Sequence, residues 1–242
     1  MEGFSFVDIY ATKGIEYLIV IGFLATFVFF CRYLALRSEE PAGSKNGPVE
    51  FVEWFRVPGD LLFHQGHGWV RTGEDNVARL GIDDFAQKLV GKVDSIDLPP
   101  VGSRLSQGEK GWVLTADSRA IPMLSPIDGE VVAVNEEAVR SPEIVNEDPF
   151  GKGWLLKVRP GRLAANRTGL LSGRLARRWT EEALHGLRLT MGGSLGPLYQ
   201  DGGSTLPLHQ DGGSPVAGIA RALYGEDWVK KVKEHFHTDG MA

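Results

Sequence analysis

Residues 113–132 read VLTADSRAIPMLSPIDGEVV. WVLTA, which begins one residue earlier, has the β-branched and aromatic content of a strand. ADSR breaks it, AIPML runs apolar toward a turn at SPIDG, and EVVAV starts a second strand. Outward from this stretch the same grammar recurs. HGWVRT and VARLGI, parted by EDN, form a hairpin pattern. In DDFAQKLVG, Asp83 or Asp84 can cap a short helix, Phe85, Leu89 and Val90 share its inner face, and Gly91 can end it. KVDSIDL sets Val93, Ser95 and Asp97 against Asp94, Ile96 and Leu98, so one face is mostly apolar. PPVG and SQGEKG are turns. NEEAVRSPEIVNEDPFGKG is a loop with room for one helical turn, and WLLKVRP is a closing strand. Many short strands with one short helix make residues 51–160 a mainly β, barrel-like sandwich.

Three pieces of this region, in order, carry a family likeness: HGWVR, LGIDDFAQKLVGKVDSIDLPPVG and SPIDGEVVAVNEEAVRSPEIVNEDPFGKGWLLKVRP. From about Pro58 to Pro160 the chain resembles the H protein of the glycine cleavage system, a lipoyl-domain-like barrel-sandwich hybrid. The resemblance implies a lysine at the tip of a tight hairpin that holds lipoate in amide linkage. That arm takes an aminomethyl group and shuttles between partner enzymes. The lysine of the family stands eight residues before the proline of the SP…GEV turn, and here that position is Ser118, with Arg119 beside it. No lysine occurs between Lys110 and Lys152. Amide formation needs a neutral amine, which lysine can supply by losing a proton. A guanidinium is always protonated, and a serine hydroxyl would give an ester, with no activating base in sight. Lys110 is eight residues from the tip, roughly 26 Å along an extended chain. The expectation is a chain without a lipoyl cofactor. Gly68 is a further departure, since the family usually has Glu between this His and Trp.

Ahead of the β region, Tyr17–Cys31 carries no charge, and YLAL continues the run beyond Arg32. Residues 17–36 have the length of a single-pass transmembrane helix, with Arg32 able to snorkel at one end. The preceding segment, 1–16, is long and net acidic, unlike a signal peptide. Arg32 and Arg37 on the carboxyl side place the N-terminus outside and the main domain in the cytoplasm of a cell-membrane protein. Residues 37–50 read as a polar linker. A net charge of −5 excludes a globally basic nucleic-acid binder, and the one cysteine, Cys31, excludes a disulfide framework or Cys-based zinc site. His64 with His67, and His235 with His237, lack a third ligand in spacing, so no metal site is expected. Asp83/Asp84 and Glu136/Glu137 suit cap and solvated-face roles better than acid/base catalysis. No phosphate-cradle or nucleophile-elbow motif occurs.

Residues 161–242 form a helical and glycine-rich extension. Within 162–188, six arginines face Glu181 and Glu182, and Leu171, Leu175, Trp179 and Leu184 recur near helical spacing, with Asn166 or Thr168 at the start. LYQDGGS at 198 recurs as LHQDGGS at 208, an extended stretch with two turns. Ile219, Leu223, Val229, Val232 and Phe236 mark the buried face of one or two terminal helices. The reading is a non-enzymatic, non-lipoylated scaffold or docking subunit of a membrane-bound complex of respiratory or redox type. Its membrane contact is residues 17–36, and its partners are other protein subunits rather than nucleic acid. Asp117, Arg119, Arg174, Arg177, Arg178 and Trp179 are the candidate docking residues. The alternative is a membrane-tethered lipoyl carrier of the glycine cleavage route.

Overall fold

The computed structural model of the chain describes residues 9–38, 49–73, 75–195 and 217–241, which fall in two units, Met1–Ser44 and Lys45–Ala242. The first unit holds one helix, α1 (Ile9–Ser38). Its side chains from Tyr17 to Phe30 are exposed. Among the described residues no helix is long and apolar enough to cross a membrane. The expected transmembrane span of 17–36 is therefore not supported. Most of the expected linker, and the whole DGG repeat, lie outside the described residues; the linker's last two positions, Val49 and Glu50, begin a strand instead.

The second unit begins with a ribbon of β1 (Val49–Val52) and β2 (Phe55–Pro58). Next come β3 (Leu62–Phe63), β4 (Gly68–Thr72) and β5 (Ala78–Ile82), then α2 (Asp84–Val90) and β6 (Ser95–Asp97). They are followed by β7 (Arg104–Leu105), β8 (Lys110–Ala116), β9 (Arg119–Leu124) and β10 (Gly129–Val134). Two short helices, α3 (Glu136–Arg140) and α4 (Ile144–Glu147), stand where the sequence left room for one turn, and β11 (Leu156–Pro160) closes the sandwich. One sheet has the order β3-β4-β5-β11-β10-β7, the other β6-β8-β9, with all recorded pairings antiparallel.

Alternation drives this architecture. On β8, Trp112, Leu114 and Ala116 are buried while Val113 and Thr115 are half-buried, the period-2 pattern of a strand with one core face. Trp69, Leu80, Ile82, Ile121, Val131, Leu156 and Val158 meet Leu114 in one continuous core. Trp69 lies directly opposite Gly81 in the ladder. A Cβ on Gly81 would stand 2.7 Å from the indole, so glycine there makes room for the ring. The indole N–H donates to the Pro149 carbonyl at 3.0 Å.

Beyond β11 lie α5 (Leu163–Asn166), a 3-10 turn and α6 (Gly173–Leu195). The helix starts later than Asn166 or Thr168, and its buried stripe is offset from the expected one. Ala176, Thr180, Leu184 and Leu187 face the core, whereas Leu175 is 64% exposed. Leu171 precedes the helix and bridges to Phe63. The last elements are α7 (Ile219–Tyr224), a 3-10 turn (Gly225–Asp227) and α8 (Trp228–His235). Ile219, Ala220, Trp228, Val232 and Phe236 are buried, which agrees with the expected face and adds Trp228 to it.

Candidate functional site

The β8–β9 hairpin turns on two residues, Asp117 and Ser118, both with left-handed φ of 49° and 60°. That pair of positive angles makes a two-residue turn matched to strand twist. Ala116 pairs with Arg119 across it, so Ser118 sits at the apex and is exposed. Ser118, the position that the resemblance assigns to the lysine, is thus a tip residue. The Asp117 backbone N–H donates to the Asp94 carboxylate at 2.7 Å and fixes the turn against the residue preceding β6.

The tip is not free. Arg119 donates from Nη1 to the Glu226 carbonyl at 2.9 Å and from Nη2 to its carboxylate at 3.1 Å. Asp117 forms an ion pair with Arg221, whose guanidinium also lies 4.8 Å from the Trp228 ring centre. Both partners belong to the C-terminal helices, about a hundred residues on in sequence. The pairs cross: the acid of the tip meets a base of the segment, and the base of the tip meets an acid.

A second contact holds the same segment. Asp83 caps α2, accepting from the Ala86 N–H at 2.7 Å, and Gly91 ends the helix with φ of 78°. The Gly218 N–H donates to the Lys88 carbonyl at 2.9 Å. A Cβ on Gly91 would stand 2.5 Å from the Gly218 nitrogen, so the absence of a side chain is what allows the two backbones to meet. Asp84, one residue into α2, is fully buried and accepts from the Arg56 N–H, from Gln87 at 2.8 Å and from Lys88 at 2.8 Å. Burial pushes its carboxyl up, but the hydrogen bonds from Lys88 and Arg56 and the Lys88 charge prevail and hold it below its ordinary value.

A third contact is aromatic. His67 places Nδ1 2.8 Å from the Asp83 carboxylate. Its ring stacks on Phe85 at 4.5 Å and lies 4.7 Å from Trp179 of α6 and 5.4 Å from Phe236 of the segment. A cleft of about 430 Å³ opens here, lined in part by His67, Trp179, Glu182, Tyr224, His235 and His237. Tyr224 Oη lies 3.2 Å from His235 Nε2. Burial, with like charge from the neighbouring histidines, pushes His64 and His235 below the ordinary imidazole value. No group of three metal-ligating residues occurs among the described residues.

The structure therefore brings Asp117 and Arg119 together with the chain's own C-terminal segment and leaves the other candidates elsewhere. Arg177 pairs with Glu50 and Glu181, and Arg174 and Arg178 are exposed on α6. Trp179 is half-buried over His67 rather than presented outward. Arg221, Glu226, Gly91, Gly218 and Asp94 were not foreseen as site residues. The positive-φ glycines could have been found as caps, but no local pattern announces an ion pair spanning a hundred residues.

Residues 61–183 match the family model for the glycine cleavage H-protein, which runs past β11 into the first part of α6. The glycine cleavage system H protein of Carboxydothermus hydrogenoformans is 44% identical over 102 residues, 42% of this chain and 78% of that one. The H protein of Marinobacter nauticus is 43% identical over 103 residues, 43% of this chain and 79% of that one. A crystal structure of a glycine cleavage system H protein from Mycobacterium marinum aligns at a TM-score of 0.41 with 32% identity, covering 43% of this chain and 87% of that one.

Proposed function

The chain belongs to the glycine cleavage H-protein family, and on that premise we propose that it is the H-like, non-catalytic component of a glycine-cleavage-type system. Its β domain is the body that docks to the proteins handling the aminomethyl group, and it carries no lipoyl arm at the hairpin apex. The observation that carries this reading is the identity of 44% across 78% of a relative named for that system, set against a serine at position 118. A second reading, a full lipoyl carrier, is favoured by the relatives' names over a purely scaffolding role. It requires acylation at a lysine away from the apex. Intact mass of the full chain, produced in cells with active lipoylation, separates the two. The unmodified mass supports the first reading, and a mass increased by one lipoyl group overturns it.

We further propose that α1 tethers the domain to a membrane. The support is the row of exposed apolar side chains from Tyr17 to Phe30, a surface far more apolar than water-facing helices present. In this reading the arginines of α6 that lack a described partner, Arg174 and Arg178, dock other subunits of the assembly. Membrane fractionation of the full chain checks the tether: recovery in the alkaline-washed membrane pellet supports it, and recovery in the supernatant refutes it.

A further inference from the structure

The segment 217–241 grips the hairpin through Asp117 and Arg119, on either side of the exposed apex, and four histidines meet along the seam it makes with the β domain. His64 and His67 stand on the turn between β3 and β4, while His235 and His237 stand at the end of α8 and just beyond it. We propose that residues 217–241 are a cis-acting strap that grips the hairpin beside its apex, and that acid releases it through the seam at His64 and His235. The proposal concerns the chain's own conformation and does not depend on whether a lipoyl group is carried.

The segment's apolar face joins the core, and three separate features make it a detachable strap. Its pair with Arg119 is exposed, Glu226 keeping 98% of its side-chain surface, and an exposed pair is weak and breakable; its pair with Asp117 is sheltered on the Arg221 side, which keeps 30%. Its backbone anchor is a single approach, Gly218 on Gly91. Its helices have six and eight residues, too short to persist in water without the surface they lie on. Released, the strap loses its helices, and that is observable.

The seam responds to protons through His64 above all. The Gly66 N–H donates to His64 Nδ1 at 3.1 Å, so that nitrogen serves as an acceptor. Protonation would turn it into a donor facing a donor. Besides burial, His237 and His67, both of the same sign, act on His64. His235 faces His67 across the seam, with Glu234, Lys231, His237 and Tyr224 around it and Glu182 of α6 on the cleft wall. Glu234 is the one named neighbour that favours its charge, and it already holds Lys231 at 2.7 Å. His67 is held by Asp83, 2.8 Å from its Nδ1. Asp84 and Lys88 of α2 are paired with each other. Depressed histidines bind fewer protons in the docked state than in the released one. Docking is therefore fully favoured above the ordinary value of 6.5 and weakens as pH falls below it.

The test is amide hydrogen exchange on the full chain in detergent micelles, with rates corrected for the intrinsic pH dependence. The expected result is an opening population of residues 219–236 that rises about tenfold from about pH 7.5 to about pH 5.5, while the amides of β5 and β11 stay protected. The His64→Gln/His235→Gln double variant should lose the acid step. Asp117→Ala with Arg119→Ala should raise strap opening about threefold at both pH values. Gly218→Val, which alters only the strap, should raise it about tenfold by placing a β-branched side chain at a left-handed φ of 85°. An acid step that is absent in the wild type, or that persists in the double histidine variant, overturns the acid latch. Strap exchange unchanged by both the hairpin variants and Gly218→Val overturns the strap.

Discussion

Replacing Asp84 by asparagine removes one charge from the hub of α2 and leaves its shape. The carboxylate is fully buried and receives the Arg56 N–H at 2.9 Å, the Arg56 guanidinium at 3.2 Å, Gln87 at 2.8 Å and Lys88 at 2.8 Å. An amide keeps one acceptor and turns its other end into a donor facing donors. Removing one partner of a buried ion pair costs about 3–5 kcal/mol. Here Arg56 and Lys88 keep 34% and 21% of their side-chain surface in water. That hydration places the expected loss at the lower end, about 3 kcal/mol. The sign with pH follows from the depressed carboxyl. Its contribution is complete above the ordinary value of 3.8 and disappears as pH falls through the lower folded value. Urea unfolding of the full chain, followed by tryptophan fluorescence, should show the D84N deficit at neutral pH and a narrowing gap to the wild type in acid. A neutral-pH deficit below about 1 kcal/mol would refute the account of Asp84 as a charge hub. So would a gap that stays constant through the acid range.

Gly81→Ala should lower stability by about 2 kcal/mol, because the new methyl meets the Trp69 indole in a packed ladder; thermal unfolding with the tryptophan signal checks it. Ser118→Lys exchanges one side chain for another at the same positive φ, so it should leave stability nearly unchanged, and it should let the chain take up a lipoyl group when co-produced with a lipoylating enzyme, as read by intact mass. Phe236→Ala should remove about 3 kcal/mol from strap docking, since the ring is fully buried; amide exchange should then rise in residues 219–236 and not in β5 or β11.

The β sandwich was legible because its rules are local. Period-2 alternation on β8, the Asp83 cap and the Gly91 stop on α2, and the turn at Asp117 are each written within a few residues. The register of α6 was harder. Its core stripe runs through Ala176 and Thr180, and the eye follows the larger Leu175, which points to solvent. Short side chains face inward there because the helix lies close on the sheet. The strap was not legible at all, since the pairing of Asp117 with Arg221 and of Arg119 with Glu226 is a tertiary fact. Sequence composition treats Gly218 as a flexible position, whereas the fold uses it as the point of closest approach.

The serine and the strap bear on one another. With serine at position 118, the residues on either side of the apex, Asp117 and Arg119, are engaged within the chain by Arg221 and Glu226. Arg119 is suited to this, because a planar guanidinium can reach a carbonyl and a carboxylate of the same residue, as it does at Glu226. A lysine at 118 would add a third charged side chain between Arg221 and Arg119. Restoring the arm and loosening the strap are therefore coupled in the same direction: in the Ser118→Lys variant, repulsion among the three cations should raise strap exchange even before any group is attached. Strap exchange equal to wild type in unmodified Ser118→Lys protein would mean that the two features arose independently and share only a location.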